Sequence, residues 1–292
     1  MRFAHLHRPD DPTLHLAVVE GAEAILVHDL LSPAPATLQE LIDGGDEALA
    51  TLRAALAARP AVPRHPLENF SYGSAVQNPP VVIAVGLNYA AHSSELGLKT
   101  DAAPTVFTLW PNSLSGHEQT TSWPRDLSQA IDYEAELGVV IGRAAKNVST
   151  EDALAHVWGY TVVNDITARD IQFAEAQWSR CKSFDGFTPT GPVVVTADEI
   201  PDPQLLHIWA TVDGQMVQDG STGQMVRPVA ELIAHLSASI TLLPGTLIST
   251  GSPGGAGYSR DPQIFLRDRS TVTVGIEGIG SLVTHCRVLD EL

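Results

Sequence analysis

Apolar and polar positions along the chain change rhythm several times. In "LHLAVVEG" and "EAILVHDL" they alternate, which predicts short strands near the N-terminus. "TLQELIDGGDEALATLRAALAARP" then changes to a helical spacing, and the proline-rich "RPAVPRHPLENF" reads as a linker. Residues 1–75 are therefore expected to form a small N-terminal domain, and 78–292 a larger domain. From "PPVVIAVGLNY" onward, short apolar strands are separated by Gly/Pro turns. A helix is expected over 149–158, with Ser149 as its cap and Asp152 completing a capping box. Another is expected over 227–240, with Pro228 in its first turn. "RDRSTVTVGIEGIGSLVTHCRVL" reads as two strands joined at glycines. The fold class expected is mixed α+β, mainly β. No internal repeat or heptad interrupts the pattern.

One strand breaks the rule that buried strands are apolar. In "IDYEAELGVVIG", Tyr133, Ala135, Leu137, Val139 and Ile141 form one alternating set, while Glu134 and Glu136 share the opposite face. Two carboxylates that close repel each other unless positive charge lies between them. A solvated edge strand is the plain explanation; a lysine or a metal ion is the chemical one.

Composition removes some functions without choosing among the rest. The 292 residues are 44% hydrophobic and 17% charged, ordinary for a folded protein. A net charge of −17 argues against nucleic-acid binding, and it requires local positive charge wherever an anionic substrate binds. No apolar run reaches the roughly 20 residues of a membrane span. "MRFAHLHRPDDP" lacks the apolar core of a signal peptide. Only Cys181 and Cys286 are present, which suits a reducing, cytoplasmic setting.

Three segments add to the glutamates. "GYTVVNDITARDIQ" ends a strand at Asn164-Asp165; Asp165 would cap a turn or join Glu134 and Glu136 as a third hard oxygen ligand for Mg²⁺, Mn²⁺ or Ca²⁺. Three carboxylates leave positions open for substrate, as catalytic sites do. "RCKSFDGFTPTGP" carries Lys182, one of three lysines beside Lys99 and Lys146. Its neighbours Trp178, Phe184 and Phe187 point to burial, where a lysine needs a partner. "VGLNYAAHSSELG" carries His92 and Glu95 at i and i+3, either a surface ion pair or a base oriented by a carboxylate. Cys181 as a nucleophile is set against inert packing.

The order of "GLNYAAHSSE", "DYEAELGVVIGR", "GYTVVNDITARDIQ", "KSFDGFTPTGPVVVT", "LLPGTLISTGSPGG" and "IEGIG" resembles the fumarylacetoacetate hydrolase family over about 78–292. The resemblance implies a β-roll catalytic domain behind a small N-terminal domain, in a homodimer. It implies Mg²⁺ or Mn²⁺ on Glu134, Glu136 and Asp165, with Lys182 beside the bound substrate and Arg169, Gln172 and Thr250 near it. His92 and Glu95 match a catalytic dyad on a segment that orders over substrate in many relatives.

The substrate class implied is a small anionic keto acid, an acylpyruvate or β-diketo acid. Its C–C bond would be hydrolysed by water activated at His92, with the departing carbanion spread into a metal-stabilised enolate. The same equipment serves an isomerase, hydratase or decarboxylase; a non-catalytic binding protein is the remaining alternative. One departure stands out. Leu109, in "VFTLWPNSLSGH", occupies the place of a lysine common in the family, and His117 is the nearest substitute.

Overall fold

A computed structural model of the chain describes residues 1–58, 61–97 and 103–290; Lys99 lies outside them. Among the described residues the largest sheet has twelve strands. Its main path runs His65–Pro66, Glu23–Leu26, Asp11–Glu20, Arg2–Arg8, Thr188–Thr196, Val157–Asn164, Ala135–Ile141, Leu247–Ser249, Val82–Gly86, Thr105–Leu109. The N-terminal strands thus continue directly into those of the larger segment, with Arg2 opposite Val195 and Phe3 opposite Val194. A five-stranded sheet, Gln215–Ser221, His207–Val212, Thr271–Ile276, Gly280–Leu289 and Gln119–Pro124, packs against it. The protein is mainly β, as the alternation predicts.

The strand Ala135–Ile141 shows how period two builds this core. Leu137, Val139 and Ile141 point into a cluster with Ile208, Val274 and Leu282 of the smaller sheet. Val140 points the other way, into a second cluster with Phe3, Val194 and the helix residues Leu38 and Leu41. Every residue of the strand is buried, and neighbours pair on both sides. An edge strand with solvated glutamates is thereby ruled out.

Local chemistry sets the helices. The helical stretch after residue 37 forms as two helices, Leu38–Asp43 and Gly45–Ala58. Thr37 caps the first by accepting from Glu40 N, and Gly45 at φ +64° breaks the run where an L side chain would be strained. The helix Val229–Ser239 follows Pro228 as expected. The expected helix over 149–158 is corrected to a single 3₁₀ turn, Ala153–His156. Ser149 Oγ does accept from Asp152 N at 3.2 Å. The next residues are instead drawn into the sheet: His156 O accepts from Gly142 N at 2.7 Å, and Val157 begins a strand. No helix among the described residues is long and apolar enough to cross a membrane.

Candidate active site

The site forms where the strand Ala135–Ile141 meets its two neighbours. Antiparallel pairing sets Ala135 opposite Asn164, which brings Glu134 beside Asp165. Asn164 Oδ1 accepts from Glu134 N at 3.2 Å, and Asp165 N donates to Glu134 O at 2.9 Å. The Asn-Asp pair therefore braces Glu134 from both its backbone groups. On the other side Ser249 Oγ and Gly251 N donate to Glu136 Oε2 at 2.6 and 2.9 Å. Glu134, Glu136 and Asp165 are all buried, each offering an oxygen within 4.8 Å of the others.

Two cations enter this acidic cluster. Lys182 Nζ lies 2.7 Å from Glu134 Oε2 and 2.5 Å from Asp165 Oδ2. Arg169, fully buried, donates through Nη2 to Glu134 Oε1 at 2.7 Å, through Nε to Asp132 Oδ2 at 2.8 Å, and through Nη1 to Gln172 Oε1 at 2.9 Å. Burial opposes charge on every member, and the neighbours decide the outcome. Burial alone would raise Glu134, but Lys182, Arg169 and His92 hold it well below the usual carboxylate range. Burial, then Asp165 and Glu134, push Glu136 well above it. Asp165 rises to about 6 because burial and Glu134 outweigh Lys182. Burial disfavours charge on Lys182, yet Asp165 and Glu134 hold its pKa above the ordinary lysine value.

A divalent cation fits this cluster. Among the described residues Asp132, Glu134, Glu136 and Asp165 have Lys182 and Arg169 as their permanently charged partners, beside the imidazole of His92, so full ionisation with that ring neutral leaves an excess of two negative charges. Asp165 Oδ1 is buried without a partner, which is costly for a carboxylate oxygen unless something binds it. The donors are all oxygen, the preference of hard cations.

His92, on the helix Ala90–Glu95, reaches Glu134 Oε1 with Nε2 at 3.2 Å, and its buried Nδ1 has no partner. The expected His92–Glu95 dyad is not brought together. Glu95 instead accepts from Gly255 N at 3.1 and 2.9 Å and from Ser259 Oγ at 3.1 Å. Gln172 lines the cavity, as do Lys182, His92 and the three acidic residues. Thr250 turns its hydroxyl to Leu137 O at 2.8 Å, leaving Gly251 and Ser252 as the lining residues of that loop.

Leu109 is buried in the core beside Val82 and Phe107. His117 does not take the place of a lysine there: its Nδ1 accepts from Val283 N at 3.0 Å and its ring packs on Tyr72. The thiol of Cys181 donates to Trp178 O, and burial pushes it up to about 11, as inert packing predicts.

Asp132 and Gly86 escape a reading of motifs alone. Asp132 stands two residues before Glu134, at the period of the strand that carries the glutamates. Gly86 admits the Trp178 indole so closely that a Cβ would lie 2.5 Å from Cζ3. With Trp178, Leu87 and Leu96 as walls, the cavity keeps about 10 Å³ of water-accessible space, on the order of one water.

The Fumarylacetoacetate (FAA) hydrolase C-terminal family matches residues 81–287. The chain belongs to the fumarylacetoacetate hydrolase family. Over 288 residues it is 36% identical to human oxaloacetate tautomerase FAHD2A, mitochondrial, covering 97% of this chain and 90% of that one. Fumarylacetoacetate hydrolase from the psychrophile Exiguobacterium antarcticum has the same fold, with TM-score 0.86, 33% identity, and coverage of 99% of this chain and 100% of that one. Maleylpyruvate hydrolase from Sphingobium sp. SYK-6, solved with manganese(II) and pyruvate, gives 0.82 at 27% identity, covering 99% of each chain. These fumarylacetoacetate hydrolase-like relatives are enzymes, hydrolases and a tautomerase among them.

Proposed function

We propose that this protein is a divalent-metal-dependent enzyme acting on a small α-keto acid, and that it hydrolyses a C–C bond in an acylpyruvate or β-diketo acid. The observation that carries the reading is the convergence of Lys182, Arg169 and His92 on the one carboxylate of Glu134, beside Glu136 and Asp165. Glu134, Glu136 and Asp165 would hold Mg²⁺ or Mn²⁺, which when bound supplies Lewis acidity beside the keto acid's oxygens. Lys182 keeps a fixed positive charge where negative charge develops as the C–C bond breaks. Arg169 holds Glu134 in place through Oε1. His92 has a free Nδ1 to take a proton from water, which then attacks the distal carbonyl. Trp178 and Leu96 keep the cavity narrow and exclude bulk water.

Whole-length similarity to an oxaloacetate tautomerase favours a second reading, proton transfer between carbon and oxygen of a keto diacid without consumption of water. One experiment separates them. Purified protein with Mn²⁺ is given a panel of acylpyruvates, fumarylpyruvate and enol-oxaloacetate. Release of pyruvate with a second acid supports hydrolysis; decay of the enol absorbance without cleavage supports tautomerisation. Inertness on the whole panel refutes both.

A further inference from the structure

The polar contacts around Glu134 form a closed circuit that begins and ends on one short helix, Ala90–Glu95. From His92 the circuit passes to Glu134 Oε1, from there to Arg169 Nη2, and from Arg169 Nε to Asp132. Asp132 is fully buried, and its two oxygens accept four N–H bonds. The donors are Arg169 Nε and Tyr133 N at 2.8 Å, Gly257 N at 2.8 Å and Tyr258 N at 3.0 Å. The loop over 255–259 then returns to the helix, because Gly255 N and Ser259 Oγ both donate to Glu95. The contact is built closely: a Cβ at Gly257 would lie 2.7 Å from Asp132 Oδ1.

We propose that Asp132 is a positioning residue that couples the acidic cluster to the helix bearing His92. On one side its charge balances Arg169, so that Arg169 competes less with a cation for Glu134. On the other it accepts from the amides of Gly257 and Tyr258, which fixes the loop that holds Glu95. The first half rests on Glu134 being a metal ligand; the second does not.

The test uses wild type, Asp132→Asn and Ser259→Ala, with two readouts. One is Mn²⁺ affinity by calorimetry. The other is amide hydrogen exchange in chelator at Ser93, Leu96 and Gly97, whose N–H groups are bonded within the helical turn. Asn keeps the size of Asp132 but puts an NH₂ group, which cannot accept, in place of one oxygen, so either Tyr133 N and Gly257 N or Arg169 Nε and Tyr258 N lose their acceptor. Asp132→Asn should weaken Mn²⁺ binding about tenfold or more, the usual scale for losing a residue behind a metal ligand. It should also speed exchange in the helix about tenfold while the strand Ala135–Ile141 stays protected, which a general loss of stability would not do. Ser259→Ala lies outside the acidic cluster; it should speed helix exchange and leave Mn²⁺ affinity alone. Should Asp132→Asn fail to fold, Ser259→Ala still decides. Unchanged helix exchange in a folded variant overturns the coupling, whatever happens to Mn²⁺. Failure of wild type to bind Mn²⁺ sinks the metal assignment instead, and leaves the exchange arm to judge Asp132.

Discussion

The imidazole of His92 rests 3.2 Å from Glu134, and the same carboxylate oxygen accepts from Arg169. Glu134, rather than Glu95, is thus the acid that orients His92. His92→Ala should cut hydrolysis by about 10² to 10⁴, the usual contribution of a positioned base. Mn²⁺ and an inert mimic such as oxalate should still bind. Glu95→Gln keeps an oxygen for Gly255 N and should leave the pH profile of kcat unchanged. A pH profile that moves with Glu95→Gln would restore the dyad.

Activity should vanish in chelator and return with Mg²⁺ or Mn²⁺. Glu134→Gln, Glu136→Gln and Asp165→Asn should each weaken Mn²⁺ binding measured by calorimetry, since an amide brings no negative charge to a hard cation. Full turnover in chelator would remove the ion from the mechanism.

Lys182 is a structural cation, paired with both Glu134 and Asp165. Lys182→Met leaves Glu134 and Asp165 without their shared partner, so it should destabilise the metal-free protein by about 3 kcal/mol or more. Saturating Mn²⁺ should recover much of that loss in urea unfolding, because the ion replaces the missing charge. In the same variant kcat should fall about 10²-fold. Equal destabilisation with and without Mn²⁺ would separate Lys182 from the ion site.

His5 makes stability depend on pH far from the active site. Leu38 N donates to its Nε2 and its Nδ1 lies 3.1 Å from Ser74 O, so the ring is buried neutral with the proton on Nδ1. Burial lowers its pKa from 6.5 to about 4. Between those values the unfolded chain takes up a proton that the folded chain refuses. Stability is therefore fully present above pH 6.5 and is lost as pH falls toward 4, by at most roughly 3 kcal/mol. Urea unfolding of wild type and His5→Gln across this range should show the two converging as pH drops. Parallel curves would exclude the linkage.

Gly86→Ala should push the Trp178 indole out of place, since the new Cβ would meet Cζ3 at 2.5 Å. Overpacking of this kind costs about 1–3 kcal/mol. Adding Trp178→Leu should return most of the stability measured by urea unfolding; no recovery would mean that the strain lies elsewhere.

Alternation alone placed a strand within 131–142 and put Glu134 and Glu136 on one face of it, because side-chain direction on a strand follows residue number; that this face is buried follows from pairing on both sides. Residue type and motif order then singled out Glu134, Glu136, Asp165 and Lys182, and pointed to the family. Where local and tertiary preferences competed, sequence was a poorer guide. Ser149 Oγ does accept from Asp152 N, but pairing of Val157 with Ile141 leaves only the single turn Ala153–His156, which starts after Asp152 without a side-chain cap. The partner of Glu95 was likewise undecided, since i,i+3 spacing makes contact with His92 available without requiring it.

What the chain determined by itself was therefore periodicity and chemical type: which positions are apolar, where charge interrupts an apolar strand, and which oxygen, nitrogen and ammonium groups are supplied. Which of those groups touch was left to the tertiary structure. Glu134 faces Asp165 because two strands pair in a register that brings Glu134 to Asn164, 30 residues away, and Glu95 faces Gly255, 160 residues away. Contacts across such separations depend on register and packing, which no local pattern encodes, and this is why Asp132 looked like one more acidic residue until its four donors were assembled around it.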